Sequence, residues 1–169
     1  MSTIHIVFGP QGAGKTTYSK QLSAKVNGVH LSIDEWMWKL YGDDLPKPMN
    51  LKWIMERVER CEKQIWSIAK QISKSGSDVI LDLGFTKVAK RNQFLKLAQE
   101  HDLPTELHIV TAPHSLRRER VLRRNVEKGE TFSFEVTAGM FDFMETEFHR
   151  PTDNELNMAT VVDTSLETE

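Results

Sequence analysis

Gly9-Pro10-Gln11-Gly12-Ala13-Gly14-Lys15-Thr16 decides the fold of this 169-residue chain. The octet fits the pattern G-x-x-x-x-G-K-[ST]. An apolar stretch of strand character, Ile4-His5-Ile6-Val7-Phe8, runs into it. Thr17 to Lys25 leaves it as a helix-length segment closed by Asn27-Gly28. Strand, glycine loop and helix is the order in which such a loop cradles phosphate. Gly9, Gln11, Gly12, Ala13 and Gly14 bring backbone N–H groups onto phosphate oxygens, at the positive end of the helix that Thr17 enters. Lys15 is placed for the β- and γ-phosphates, and the Thr16 hydroxyl for Mg²⁺. The plain alternative is a glycine turn at a strand end. Motif, position and flanks together predict a nucleoside triphosphate site.

Working outward, strands and helices alternate. His30-Leu31-Ser32-Ile33-Asp34 reads as a second strand ending in an acid, and residues 35–41 as a short helix or ordered loop. Two prolines, Pro46 and Pro48, end that element. Ile54, Val58, Cys61, Ile65, Ile68 and Ile72 recur at helical spacing and predict a long helix over 51–74. The run Val79-Ile80-Leu81-Asp82-Leu83 predicts a buried strand, 87–101 a helix and 106–110 another strand. Pro113 suits the first turn of a basic helix reaching about Lys128. Phe132, Phe134 and Val136 alternate as in an extended segment. Thr137 is placed to cap a helix bearing Met140, Phe141, Met144 and Phe148. A polar stretch then leads to a final strand over 159–163. This order predicts one α/β domain over 1–169: a three-layer P-loop fold with a mainly parallel five-stranded sheet and a helical lid at about 113–129.

Composition narrows the class. With 39% hydrophobic residues the chain supports one domain with a real core. A net charge of −2 offers no global attraction to nucleic acid or anionic membranes. The single cysteine, Cys61, excludes an intramolecular disulfide and falls in the long helix, a structural position. The first strand begins within four residues, which leaves no room for a signal peptide, and no apolar run nears membrane-spanning length. The expectation is a soluble, cytoplasmic protein. The six histidines show no metal-ligand spacing, so Mg²⁺ arriving with the nucleotide is the only metal expected.

Ligands of open parallel sheets bind beyond the carboxyl ends of the strands, where Asp34 and Asp82 should lie. Asp34 can accept the proton of an attacking hydroxyl, or it can merely cap the following helix. Glu35 is the fallback base. Trp36 and Trp38 can wall an acceptor pocket or pack locally. Asp82 can hold Mg²⁺ through water or bond to Thr16, and Gly84 permits close approach of a substrate. Lys87 and Arg91 stand near enough to touch an acceptor, or are plain surface residues. On the basic helix Arg117, Arg120, Arg124 and Lys128 fall on one face, while Leu116, Leu122 and Val126 occupy another arc that can pack inward. A solvated charged face is the ordinary reading. Four cations with Gly129 beyond also fit a lid that neutralises charge on transferring phosphate, Arg120 and Arg124 foremost.

With the octet, Ile33-Asp34, Leu81-Asp82-Leu83-Gly84-Phe85 and Arg124-Asn125-Val126-Glu127-Lys128-Gly129 in this order, the chain resembles the small P-loop kinases that include phage polynucleotide 5′-kinase, zeta toxin and chloramphenicol phosphotransferase. The likeness runs from residue 4 to about 163. It implies that Asp34 is the general base and that Arg120 and Arg124 stabilise the β- and γ-phosphates of ATP. Lys128 stands where the polynucleotide kinase lid carries arginine, and a lysine cannot make the same bidentate contact. The resemblance also puts the segment 147–153 near the adenine.

Two function classes are open to such a chain. The first is an ATP-dependent kinase with a hydroxyl acceptor, a small molecule ahead of a nucleic-acid 5′-end because no long basic stripe exists outside the lid. The second is an ATP-binding regulatory module or toxin. Asp34 separates them, since a module needs no base facing the γ-phosphate. The acceptor, the oligomeric state and the choice between ATP and GTP are not encoded in these motifs.

Overall fold

The computed structural model describes residues 1–128 and 135–166. Five strands, β1 (Ile4–Phe8), β2 (Val29–Ser32), β3 (Val79–Asp82), β4 (Thr105–Thr111) and β5 (Thr160–Asp163), form one sheet in the order β2-β3-β1-β4-β5. Every pairing is parallel. Between them run α1 (Lys15–Val26), α2 (Ile33–Tyr41), α3 (Leu51–Lys74), α4 (Val88–Glu100), α5 (His114–Glu127), α6 (Ala138–Glu147) and α7 (Asp153–Met158).

Alternation along the strands divides the interior into two layers. Ile4, Ile6 and Phe8 share a core with Ile65 and Ala69 of α3 and Phe94 and Ala98 of α4. Val7, Ile80 and Val110 pack on the opposite face with Leu22 of α1. A central parallel strand needs apolar residues on both faces, and β1 is buried at every position. A third cluster, Val121 with Val136 and Phe141, joins α5 to α6 away from the sheet. The chain leaves β1 for strands on one side and later crosses to β4 on the other. That switch point opens a crevice at the carboxyl end of β1, where residues 9–14 sit.

Several boundaries differ from the sequence reading. β2 stops at Ser32, whose hydroxyl accepts the Glu35 amide at 3.3 Å and starts α2. Asp34 therefore lies in the first helical turn and not at a strand end, and the cap is Ser32 rather than Asp34. A serine cap with acids in the first turn suits the helix dipole better than a fifth strand residue. Pro113 precedes α5 with extended ψ instead of occupying its first turn. α7 lies in the stretch read as merely polar, although Thr152 and Glu155 form a complete capping box. On α5 the inward positions are Arg117 and Val121, while Leu116 and Leu122 are half-buried and Val126 is 84% exposed. Thr137 caps α6 as expected. Phe132, Phe134 and Gly129 lie outside the described residues. Among the described residues no helix is long and apolar enough to cross a membrane.

Candidate functional site

Backbone crowding fixes the glycines of the loop. A Cβ on Gly9 would meet the Val110 carbonyl oxygen at 2.0 Å, so only glycine fits where the chain turns out of β1 against β4. Gly12 has φ +78°, and a Cβ on it would meet the Arg117 carbonyl oxygen at 2.4 Å. Lys15 Nζ donates to the carbonyls of Gly9 at 2.9 Å and Pro10 at 3.1 Å, which holds the ammonium over the loop. Thr16 Oγ1 donates to Asp82 Oδ2 at 2.9 Å, and His30 Nε2 lies 3.1 Å from that oxygen. Gln11 Oε1 is buried with no hydrogen-bond partner among the described residues.

A cavity of about 490 Å³ opens over this loop. It gathers Gln11, Gly12, Gly14, Lys15, Thr16 and Thr17 with Asp34, Asp82, Gly84, Arg120 and Arg124. Gly9 and Ala13 stand behind it, and Ala13 is fully buried. Sequence reasoning missed four further lining residues, Gln21, Arg123, Glu127 and Thr164. Gln21 follows Thr17 by one helical turn and so shares its face. Thr164 follows the last strand, where a sheet of this kind places ligand-facing residues.

Charges in the cavity act on one another. Asp34 is exposed on the cavity wall but crowded by protein. Desolvation raises its carboxyl above the usual aspartate range and Asp82 adds to this, while Lys15 and Arg124 pull the other way. Burial lowers Lys15, against the attraction of Asp82 and Asp34. Burial also lowers Arg124, opposed by Asp34. Asp34 and Asp82 thus face Lys15 and Arg124 across one space, which Arg120, Arg123 and Glu127 also line.

The basic face of α5 turns toward the loop, and its arginines divide the work. Arg117 is buried; it donates to the carbonyls of Ala112 at 2.9 Å and Gln11 at 3.2 Å and pairs with the Glu145 carboxylate of α6. Arg120 donates to Thr164 Oγ1 at 2.7 Å and its carbonyl at 3.0 Å, and reaches the Gly12 carbonyl at 3.4 Å. Arg124 lines the cavity and, among the described residues, makes no such clasp. Lys128, at the end of α5, does not line it.

Other candidates are used elsewhere. Trp36 packs against the core, and Trp38 is 47% exposed; neither borders the cavity. Glu35 is paired with Lys39 on the surface. Lys87 binds Glu147 at 2.8 Å. Arg91 is neither substrate contact nor surface residue, because it is wholly buried against Glu155 and the carbonyls of Phe85, His149 and Arg150. The segment 147–153, which the resemblance puts near the adenine, packs on α4 through these bonds and the Lys87–Glu147 pair.

Comparison with known proteins agrees with this fold. Residues 4–151 match the AAA domain family. The chain belongs to the AAA domain family. Solved structures share its fold at low identity. A candidate kinase from Chloroflexus aurantiacus is 19% identical with a TM-score of 0.74, over 96% of this chain and 88% of that one. A sugar kinase from a Janibacter species is 14% identical with a TM-score of 0.68, over 99% and 88%. Kti12 from Chaetomium thermophilum, in complex with ADP-AlF3, is 15% identical with a TM-score of 0.64, over 94% and 87%. No curated protein matches the chain in sequence. Within the AAA domain family, this chain presents the P-loop kinase fold.

Proposed function

We propose that this chain is an ATP-dependent phosphotransferase that moves the γ-phosphoryl group to a hydroxyl of a small-molecule acceptor, with Asp34 as general base. The observation that carries this is the placement of Asp34 in one cavity with Lys15, Thr16 and Asp82. A raised pKa suits a carboxyl that must take a proton from an alcohol. The acceptor oxygen attacks the γ-phosphorus, its proton passes to Asp34, and ADP departs. Lys15 would leave its loop carbonyls for the phosphates, and Arg124 would face charge building on the transferring group. Thr16 and Asp82 form a hydroxyl–carboxylate pair of the kind that holds Mg²⁺, which when bound neutralises phosphate oxygens. The resemblance of the fold to a sugar kinase supports a small hydroxylated acceptor over a nucleic-acid end. So does the engagement of Arg117 and Arg120 within the protein.

The test is ADP formation from ATP and Mg²⁺ with no acceptor and with pooled nucleosides, sugars, antibiotics and 5′-hydroxyl oligonucleotides. Stimulation by a small-molecule pool, lost roughly a hundredfold in Asp34→Asn with ATP affinity retained, is expected. Stimulation by oligonucleotides alone would replace the acceptor class. Tight ATP binding with no stimulated turnover would favour a regulatory module.

A further inference from the structure

A second cluster of chemistry-bearing side chains lies behind the phosphate loop, on the α1 face of the sheet. His5 of β1 and Glu106 of β4 are register partners, and His108 follows on the same face of β4. His5 Nδ1 and His108 Nε2 stand 2.9 Å apart. Glu106 Oε2 lies 3.5 Å from the first and 3.8 Å from the second. Both rings are buried, while Glu106 is exposed and gives the cluster a way in. Among the described residues, this is the one group of three or more potential donors within ligand distance of one another.

We propose that His5, Glu106 and His108 bind one divalent transition-metal ion of the Zn²⁺ type, at a site separate from the phosphate loop. Tetrahedral coordination with bonds of about 2.0–2.2 Å places donors roughly 3.3–3.5 Å apart. The two edges to Glu106 fall close to this, and the His5–His108 edge needs to widen by only about 0.4 Å. Water completes the shell from the Glu106 side. Two imidazoles and one carboxylate select zinc, cobalt, nickel or copper over magnesium, which prefers oxygen donors.

The outer ring of contacts fits the same reading. Asp78 Oδ2 lies 3.3 Å from His5 Nε2, and the Thr3 amide donates to the other Asp78 oxygen at 2.8 Å. Tyr18 Oη lies 2.8 Å from His108 Nδ1. Each ligand ring therefore has its far nitrogen oriented, as metal-bound histidines require. Without metal, one directed chain satisfies every group: Tyr18 donates to His108, His108 to His5, and His5 to Asp78. On binding, the His108 proton moves from Nε2 to Nδ1, where Tyr18 Oη accepts it, and no proton is lost. The ion would tie β1 and β4 together and, through Tyr18, hold α1, whose first turn carries Lys15 and Thr16. Strand pairing, and not sequence spacing, makes this cluster, which is why the histidines look scattered along the chain.

Co²⁺ titration of the nucleotide-free, chelator-treated protein tests the proposal, with visible d–d absorption as the readout and Zn²⁺ as competitor. Saturation at one tetrahedral Co²⁺ per chain, displaced by Zn²⁺, is expected. Glu106→Gln, at an exposed position, should fold normally by thermal melt and weaken binding at least tenfold. Asp78→Asn should weaken it by roughly 10- to 100-fold through loss of the outer contact. Thr16→Ala, in the phosphate loop, should leave it unchanged. Absence of a tetrahedral band at excess Co²⁺ would overturn the site and leave the cluster a hydrogen-bond network alone. A band indifferent to both carboxylate variants would also overturn it.

Discussion

Arg91 and Glu155, 64 positions apart, form a bidentate ion pair in the interior, with Nε to Oε1 at 2.6 Å and Nη2 to Oε2 at 3.1 Å. Arg91 has no exposed surface and its guanidinium also lies 4.4 Å from the Phe8 ring centroid. Burial alone would raise the Glu155 carboxyl, but Arg91 and the Thr152 contacts outweigh it and hold the group below its ordinary value. The pair fastens α7 and the segment before it to α4. Removing one partner leaves the other charge buried, so Arg91→Met or Glu155→Gln should each cost about 3–5 kcal/mol in chemical denaturation. Because the folded carboxyl is depressed, its contribution is present above the ordinary glutamate range and lost as pH falls through the depressed value. Denaturation midpoints in Glu155→Gln should therefore lose part of their acid sensitivity.

Gly12→Ala should disable the loop without touching a charged group. The substitution sets a Cβ against the Arg117 carbonyl at 2.4 Å, on a backbone at φ +78°. Strain of about 1–3 kcal/mol is expected, and its relief must displace either the loop or α5. Nucleotide affinity, read by calorimetry, should fall roughly tenfold or more with the melting temperature lowered. An alanine variant that binds nucleotide normally would show that the contact relaxes freely.

Arg120 and Arg124 should separate in their effects despite sharing one helix face. Arg120 ties Thr164 and the loop carbonyls together. Arg120→Ala should therefore lower stability by about 1–3 kcal/mol as well as activity. Arg124 lines the cavity beside Asp34 and, among the described residues, carries no such clasp, so Arg124→Ala should keep the melting temperature and reduce turnover by roughly 10²–10³. Arg124→Lys should recover little, since a lysine lacks the planar fork. Equal loss of stability in both variants would remove the distinction.

These contrasts mark what was legible in the sequence. The phosphate loop, the strands and the placement of Lys15, Thr16 and Asp82 depend on local pattern: a glycine motif, apolar runs and a short reach between strand ends. The basic face of α5 was legible as a face, because helical spacing fixes which residues share an arc. Its direction was not, since charged arginines turn inward only when carbonyls and a carboxylate such as Glu145 wait there. Arg91 was misplaced for the same reason: its partner lies across the fold. Thr152 and Glu155 did carry a local capping signal for α7 that the polar composition concealed. Trp36 and Trp38 fitted either a pocket wall or local packing, since aromatic residues beside an acid suit both, and α2 directs them to the core and the surface.

Asp34 gives the prediction with the clearest sign. Desolvation and Asp82 raise its folded-state pKa above the ordinary aspartate value of about 3.9. A group raised in this way favours the fold when protonated, and that contribution is withdrawn as pH climbs from the ordinary value through the raised one. Asp34→Asn should therefore stabilise the nucleotide-free protein at neutral pH, read as a higher melting temperature, while removing transfer. In the wild type kcat/KM should decline as pH falls through the raised pKa, because a protonated Asp34 cannot accept the acceptor's proton. The residual rate of Asp34→Asn should show no such acid limb. Asp82→Asn deletes the like charge, so the limb of its remaining activity should move to lower pH. An acid limb that stays in place in Asp34→Asn would assign the titration to another group and withdraw the base from Asp34.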